Sequence, residues 1–167
     1  MKNGAVVEKE NTKIDARNKI INFENTLKGT DGAFIGDNDF CPLKHAFSDG
    51  IYVREIFIPS GTYIVGKIHK HSHPNFLLSG TVEVITEFNG KETLTGPLSM
   101  ISSGGTKRAL RAITDLRWVT VHLNPTNTQD LAKLEQEIIA DSYFEYGKFI
   151  SEKGQNKLIT FIKKLLR

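Results

Sequence analysis

The feature that most constrains this chain is the run from Gly50 to Leu123, where short apolar segments alternate with turn residues almost without pause. Residues 51–58 are rich in β-branched and aromatic side chains, and Pro59-Ser60-Gly61 supplies a turn behind them. The same pattern predicts strands over 63–71, 76–78, 81–88, 92–94, 98–101, 107–112 and 117–123. Ser79-Gly80 marks a turn, and Asn89-Gly90 is a strong hairpin signal. Many short strands punctuated this way pack as a closed barrel or a sandwich, and closure removes unpaired edges. The expected fold class is mainly β: a single small antiparallel β-barrel of the jelly-roll type, with flanking N- and C-terminal helices.

The flanks read differently. Residues 1–40 form an arm in which Ile14, Ile20, Ile21, Phe23 and Leu27 fit a loose helical stripe over 11–27, with Gly29 as its stop. Residues 30–40 are a Gly/Asp-rich loop without the acidic alternation and closing Glu of a calcium-binding EF-hand. The barrel is expected over 41–125, and a helical segment over 126–167. Thr126 and Thr128 are candidate N-caps for a helix whose Leu131, Leu134 and Ile138 share one face. A second helix is expected after Gly154, carrying Leu158, Ile159, Phe161, Ile162, Leu165 and Leu166 among Lys157, Lys163, Lys164 and Arg167. It would pack on the barrel or on another subunit; a basic amphipathic helix can also lie on a membrane surface.

Composition narrows the partners. A net charge of +3 is too small to argue for nucleic acid. No stretch approaches the roughly 20 apolar residues of a membrane span, and the polar, charged Asn3–Lys13 run is no secretory signal. The single cysteine, Cys41, cannot form an intrachain disulfide and has no nucleophile context, so a small buried or half-buried residue is expected there. The chain reads as a protein made in the cytoplasm.

The chemistry sits in the histidines. His69, His71 and His73 alternate, so in a continuous strand all three share a face. Clustered neutral imidazoles are ligands for Zn, Fe, Ni or Mn; the alternative is a solvated strand end beside Lys70. If residues 113–116 turn a hairpin, His122 lies opposite Lys107 or Arg108 and can add a donor from the neighbouring strand, or simply hydrogen-bond beside Trp118 and Thr120. His45, just before the first expected strand, would stand over the mouth of the site or on the surface. Strand parity adds Tyr63 and Lys67 to the face of His69, with Asn75 close behind. Lys107, Arg108 and Arg111 bring positive charge that would attract a carboxylate or phosphate, or pair with Glu55, Glu83 or Asp115.

Over roughly residues 50–125 the sequence resembles the cupin superfamily. Pro59-Ser60-Gly61-Thr62, the histidine cluster, Leu77-Leu78-Ser79-Gly80 and Gly104-Gly105-Thr106 carry the likeness. With the closing glycine of the first cupin motif set on Gly80, the glutamate-ligand position holds His73, the second histidine position holds His69 and the first holds Lys67. In the second motif Lys107 or Arg108 stands where the histidine ligand would be. The resemblance therefore implies a cupin barrel with altered ligands: His69, His73 and His122, with His71 as an extra ligand or directed past the site. More narrowly, the blocks from Gly50 to Thr62, Gly66 to Lys70, Gly105 to Arg108 and Trp118 to His122 are similar to small cupin-like proteins encoded by tailed bacteriophages and bacteria. That likeness implies an oligomeric or virion-associated component. It would contact a second copy or other virion proteins through its N- and C-terminal arms, aided by Tyr143, Phe144, Tyr146 and Phe149. It would be made in the host cytoplasm. The other implied reading is a metal-dependent isomerase, lyase or oxygenase acting on a small anionic substrate. Oxygenase chemistry is the weaker form, because no Asp or Glu has suitable spacing beside the cluster.

Overall fold

In the computed structural model, which describes residues 2–165, two antiparallel sheets face each other. Helix α1 spans Lys2–Lys28 and is followed by strands β1 (Leu43–Ser48), β2 (Ile51–Ile58), β3 (Tyr63–Val65), β4 (Ile68–His69) and β5 (His73–Ser79). Strands β6 (Thr81–Thr86), β7 (Gly90–Thr95), β8 (Leu98–Ser102), β9 (Arg108–Ala112) and β10 (Leu116–Leu123) complete the two large sheets. Helix α2 (Leu131–Ile138), the short β11 (Ile139–Ala140) and helix α3 (Tyr143–Leu165) close the chain. One sheet runs β1-β2-β10-β5-β8 and the other β3-β9-β6-β7, while β11 pairs with β4 alone. The architecture is a jelly roll with flanking helices; its strands pair as two sheets with free edges, not as one closed ring.

Inward residues sort into two levels. At one end Ile58, Leu77, Val82, Val84, Ala112, Leu116 and Trp118 form an apolar core, with Cys41 buried among them. At the other, Tyr52 joins Leu134, Ile138 and Ile139 in a second cluster that caps the sandwich. Between these two levels the interior is polar. On β2 the residues sharing the inward parity of Ile56 and Ile58 are Arg54 and Tyr52, paired with Thr120 and His122 of β10.

Several local expectations change. Helix α1 starts at Lys2, well before residue 11, because Ala5, Glu8, Lys9 and Glu10 favour helix without needing an apolar stripe. It lies against β6 and β9, with Ile20 buried and the Phe23 ring edge-on to Tyr63. The expected strand over 63–71 is broken at Gly66-Lys67, so that β3 and β4 belong to different sheets. Residues 43–48, read only as a lead-in, form an edge strand along β2. The expected hairpin of β9 and β10 does not exist: β9 pairs with β3 and β6, β10 with β2 and β5. Pro74 lies inside β5 beyond the last β10 pair, where its missing N–H breaks no bond to β10.

At the C-terminal side the N-cap of α2 is Asp130, whose Oδ1 accepts from the amides of Ala132 and Lys133; Thr126 and Thr128 lie before it. Helix α3 starts at Tyr143 and runs straight through Gly154. Most of its aromatic cluster packs on the chain's own barrel. Tyr143 donates to Glu87, Tyr146 covers Gly104 and Gly105, and Phe149 meets His71, while Phe144 stays exposed. Gly105 has φ +84°, and a Cβ there would sit 2.4 Å from the Tyr146 ring, so only glycine lets α3 dock. The side chains at 158–163 and 165, and residues 166 and 167, lie outside the described part, and with them Leu158, Ile159, Phe161, Ile162, Lys163, Leu165, Leu166 and Arg167. No helix among the described residues is long and apolar enough to cross a membrane.

Candidate metal centre

Three histidines converge from three strands. His73 opens β5, and continuing the β10–β5 register of Val119 with Phe76 and Thr120 with Asn75 sets His122 across from it. His69 ends β4, which is held from outside the large sheets: His69 pairs with Ile139 of β11, and its carbonyl accepts the Gly105 amide at 2.8 Å. The His69 and His73 rings stack at 4.2 Å, with His122 at 4.8 Å from the first and 4.7 Å from the second. All three are buried, and one ligand nitrogen from each lies within 4.8 Å of the others.

The other sequence candidates sit elsewhere. His71 follows β4 in a bend fixed by the Lys70 amide bonding Ile138, and turns outward, edge-on to Phe149 at 5.1 Å. The three alternating histidines therefore do not share one strand face. Tyr63 is half exposed against Phe23 and lies under Arg111. Lys67 is directed to an ion pair with Glu135. Lys107 is buried against α1, where it pairs with Glu24 at 3.1 Å, and Arg111 faces Glu83. His45, on β1, bonds the Tyr52 hydroxyl through Nδ1 at 2.7 Å, and Tyr52 in turn stacks on His122. The acids of residues 30–40 gather into no cluster of three potential ligands among the described residues.

Asn75 and Arg108 do belong to the interior. Asn75, fully buried, accepts from Trp118 Nε1 at 3.1 Å and donates to the His73 carbonyl and to Ser102 Oγ. Arg108 donates to the same Ser102 hydroxyl and lies over the Trp118 ring. This chain of bonds fixes the wall beneath the histidines. Sequence reading missed Tyr52, Arg54, Ser102 and Thr120. The signal for the first two lies in Ile51–Ile58, where a tyrosine and an arginine occupy the parity of the buried Ile58 and the partly buried Ile56.

Electrostatics keep the triad uncharged. Burial, then the neighbouring His73 and His122, hold His69 far below the ordinary imidazole range. Burial pushes His122 down to about 3, helped by His73 and Arg54. Burial also lowers His73, opposed by its bond to the His71 carbonyl and assisted by Arg108 and Arg54. Neutral imidazole is the ligating form.

The donor set fits a divalent ion. His73 Nδ1–H donates to the His71 carbonyl, which fixes the tautomer and leaves Nε2 free. His69 Nδ1 and His122 Nε2 are buried without a hydrogen-bond partner among the described residues. Buried orphan nitrogens are costly in a protein interior, and a metal would satisfy them. Tetrahedral Zn–N bonds near 2.05 Å place nitrogens about 3.3 Å apart, so the present spread closes with side-chain adjustments of about an ångström.

No protein-family model and no curated protein matches this chain. Among solved structures it is similar to ectoine synthase from P. lautus, with 16% identity and a TM-score of 0.49 over 64% of this chain and 81% of that one. It is also similar to a cupin superfamily protein from Desulfitobacterium hafniense, at 11% identity and TM-score 0.44, covering 55% of this chain and 84% of that one. An RmlC-like cupin with a double-stranded β-helix fold from Methanocaldococcus jannaschii matches at 13% identity and TM-score 0.44, covering 56% of this chain and 89% of that one. The likeness is one of fold.

Proposed function

We propose that this cupin-like chain is a metalloprotein in which His69, His73 and His122 hold one divalent transition metal and leave its other positions to a small molecule. The observation that carries this reading is the convergence of three buried, neutral imidazoles, two with orphaned nitrogens. An all-imidazole set suits Zn, Fe or Ni better than Mn. Such a metal supplies a Lewis acid and an acidic bound water. The triad itself has no carboxylate, unlike the two-histidine, one-carboxylate oxygenase set, so isomerase or lyase chemistry fits it better. The chain's own proton-handling pair is then Tyr52 with His45: the hydroxyl is bonded to one imidazole and stacked beside another. Metal analysis of the purified protein should find one equivalent, lost in His69→Ala, His73→Ala and His122→Ala. A folded wild type that takes up no added zinc, iron or nickel would sink the reading.

A second reading, an assembly component, is favoured by a different observation. Apart from the Arg117–Glu55 ion pair, the outer face of the five-stranded sheet is largely apolar: Val53 pairs with Val121, Val119 with Phe76, and Ile101 and Leu123 are 68% and 71% exposed. Helix α1 covers the opposite sheet; no described helix makes comparable contact here. Five strands of up to eight residues span about 24 by 26 Å, or about 600 Å², near the roughly 800 Å² per partner of a stable dimer. A second copy of the chain is the occupant we infer. An Ile101→Lys, Leu123→Lys variant should halve the mass seen by light scattering; a monomeric wild type at tens of micromolar would refute it. A place in a virion, reached through the terminal arms, rests on the sequence resemblance alone.

A further inference from the structure

We propose that the interior beside the three histidines is an oxyanion subsite, in which Arg54 and Arg108 grip the carboxylate or phosphate group of a small ligand. The inference deepens the metal-centre reading and rests on it only for the ligand's second anchor.

The two guanidiniums come from opposite sheets to one level of the interior. Arg54, on β2, pairs with Thr120 of β10, one inward position below the Tyr52–His122 pair. Arg108 starts β9 with the inward parity of Leu110 and Ala112, and reaches Ser102, the β8 partner of His73. Its guanidinium lies 5.8 Å from the Trp118 ring centre. Both are partly buried, and both lie close enough to disfavour protonation of His69 and His73.

Neither arginine is matched by an acid. Among the described residues the Arg54 guanidinium makes no hydrogen bond or ion pair; the side-chain bond at this residue is from Thr120 Oγ1 to the Arg54 backbone carbonyl. Arg108 donates to a neutral hydroxyl alone. Glu87, whose charge reaches Arg108, is taken up by Arg17 and Tyr143 on the helices. Lys67, a third cation near Arg54, is taken up by Glu135. Surface arginines are arranged differently: Arg117 is paired with Glu55 on the outer face. A shielded guanidinium without a counter-charge is costly, and its planar fork matches an oxyanion in two-point contact. A divalent ion on the triad would add positive charge where no carboxylate neutralises it.

Trp118 is the chain's one tryptophan and forms the wall beneath this subsite, so its fluorescence reports on it. The full-length protein, zinc-loaded and zinc-depleted, is titrated with succinate and separately with inorganic phosphate at constant ionic strength. We expect a saturable one-to-one response, confirmed by calorimetry, to at least one of them. Preference for succinate identifies a carboxylate ligand, and preference for phosphate a phosphorylated one. Arg54→Gln and Arg108→Gln should each weaken binding about ten- to hundredfold, while Arg117→Gln should leave it unchanged. If a glutamine variant fails to fold, its Arg→Lys counterpart keeps the charge and loses the fork; binding should still weaken several-fold. No saturable response to either anion, or unchanged affinity in the folded arginine variants, would overturn the subsite. Zinc bound without any anion response sinks the subsite alone. Anion binding in a protein that takes up no zinc, iron or nickel supports the subsite and sinks the metal reading.

Discussion

Acid should destabilise the metal-free protein through its interior histidines, starting near pH 6.5. His122 is buried, and desolvation holds its folded value at about 3, against about 6.5 in an unfolded chain. The folded value is the lower, so the unfolded chain binds the proton more tightly. Stability is complete above pH 6.5 and is lost as pH falls from there towards about 3. Each pH unit within that window removes about 1.4 kcal/mol, so His122 alone costs about 2 kcal/mol at pH 5. His69 and His73 shift in the same direction and steepen the loss. Against a total stability of about 5–15 kcal/mol this is large. The assay is urea unfolding of chelator-dialysed protein from pH 7.5 to 5, followed by Trp118 emission. His122→Gln removes one titrating group, so its stability should fall less steeply with pH by about 1.4 kcal/mol per unit. A wild type whose stability is flat over this range, or a variant with the wild-type slope, would refute the argument.

Three other substitutions probe what holds the site in place. Asn75→Leu strips partners from Trp118 Nε1, Ser102 and the His73 carbonyl, and should cost about 2–4 kcal/mol; urea midpoints and a shifted Trp118 emission maximum check it. Gly80→Ala should cost at least about 2 kcal/mol, because φ there is +93° and a Cβ would stand 2.2 Å from the Asp115 carbonyl oxygen; an unchanged melting temperature would contradict it. Leu77→Ala opens a void in the apolar end of the sandwich, where Leu77 is fully buried, and should lower stability by about 2–5 kcal/mol in chemical denaturation.

Local signals were legible where local chemistry decides. The β-branched and aromatic run at 51–58 coincides with β2 end for end, and β6, β8 and β10 begin within one residue of their expected starts. Pairing was not legible, because it is set by contacts far apart in sequence. Residues 107–123 look like a hairpin, yet β9 and β10 separate into facing sheets, as jelly-roll crossing requires. His122 still arrives beside His73, through β10 pairing with β5 and not through any contact with β9. The run from His69 to His73 misleads in the opposite way. Alternation places three imidazoles on one face only while a strand continues, and here the chain bends after two residues of β4. A single arginine in an apolar strand, as Arg54 is, looks like an outward residue until parity with Ile56 and Ile58 is counted.

The division of the interior explains why a ligand and the fold should be energetically linked. One end of the sandwich buries leucine, valine and isoleucine, which favours folding. The adjoining level buries three imidazoles with two orphan nitrogens and partly buries two guanidiniums without counter-ions, which opposes it. Sequences under selection for stability alone would replace that level with apolar side chains, since unpaired buried polar groups are the costly kind. A ligand that binds only the folded chain reverses the sign: at a thousand times its dissociation constant it adds about 4 kcal/mol. That is enough to offset the penalty worked out above for His122 at pH 5. On the proposed reading the polar level is half of an interaction whose other half is a metal ion and an anion. Its cost to the empty protein measures how strongly the site is organised in advance for them.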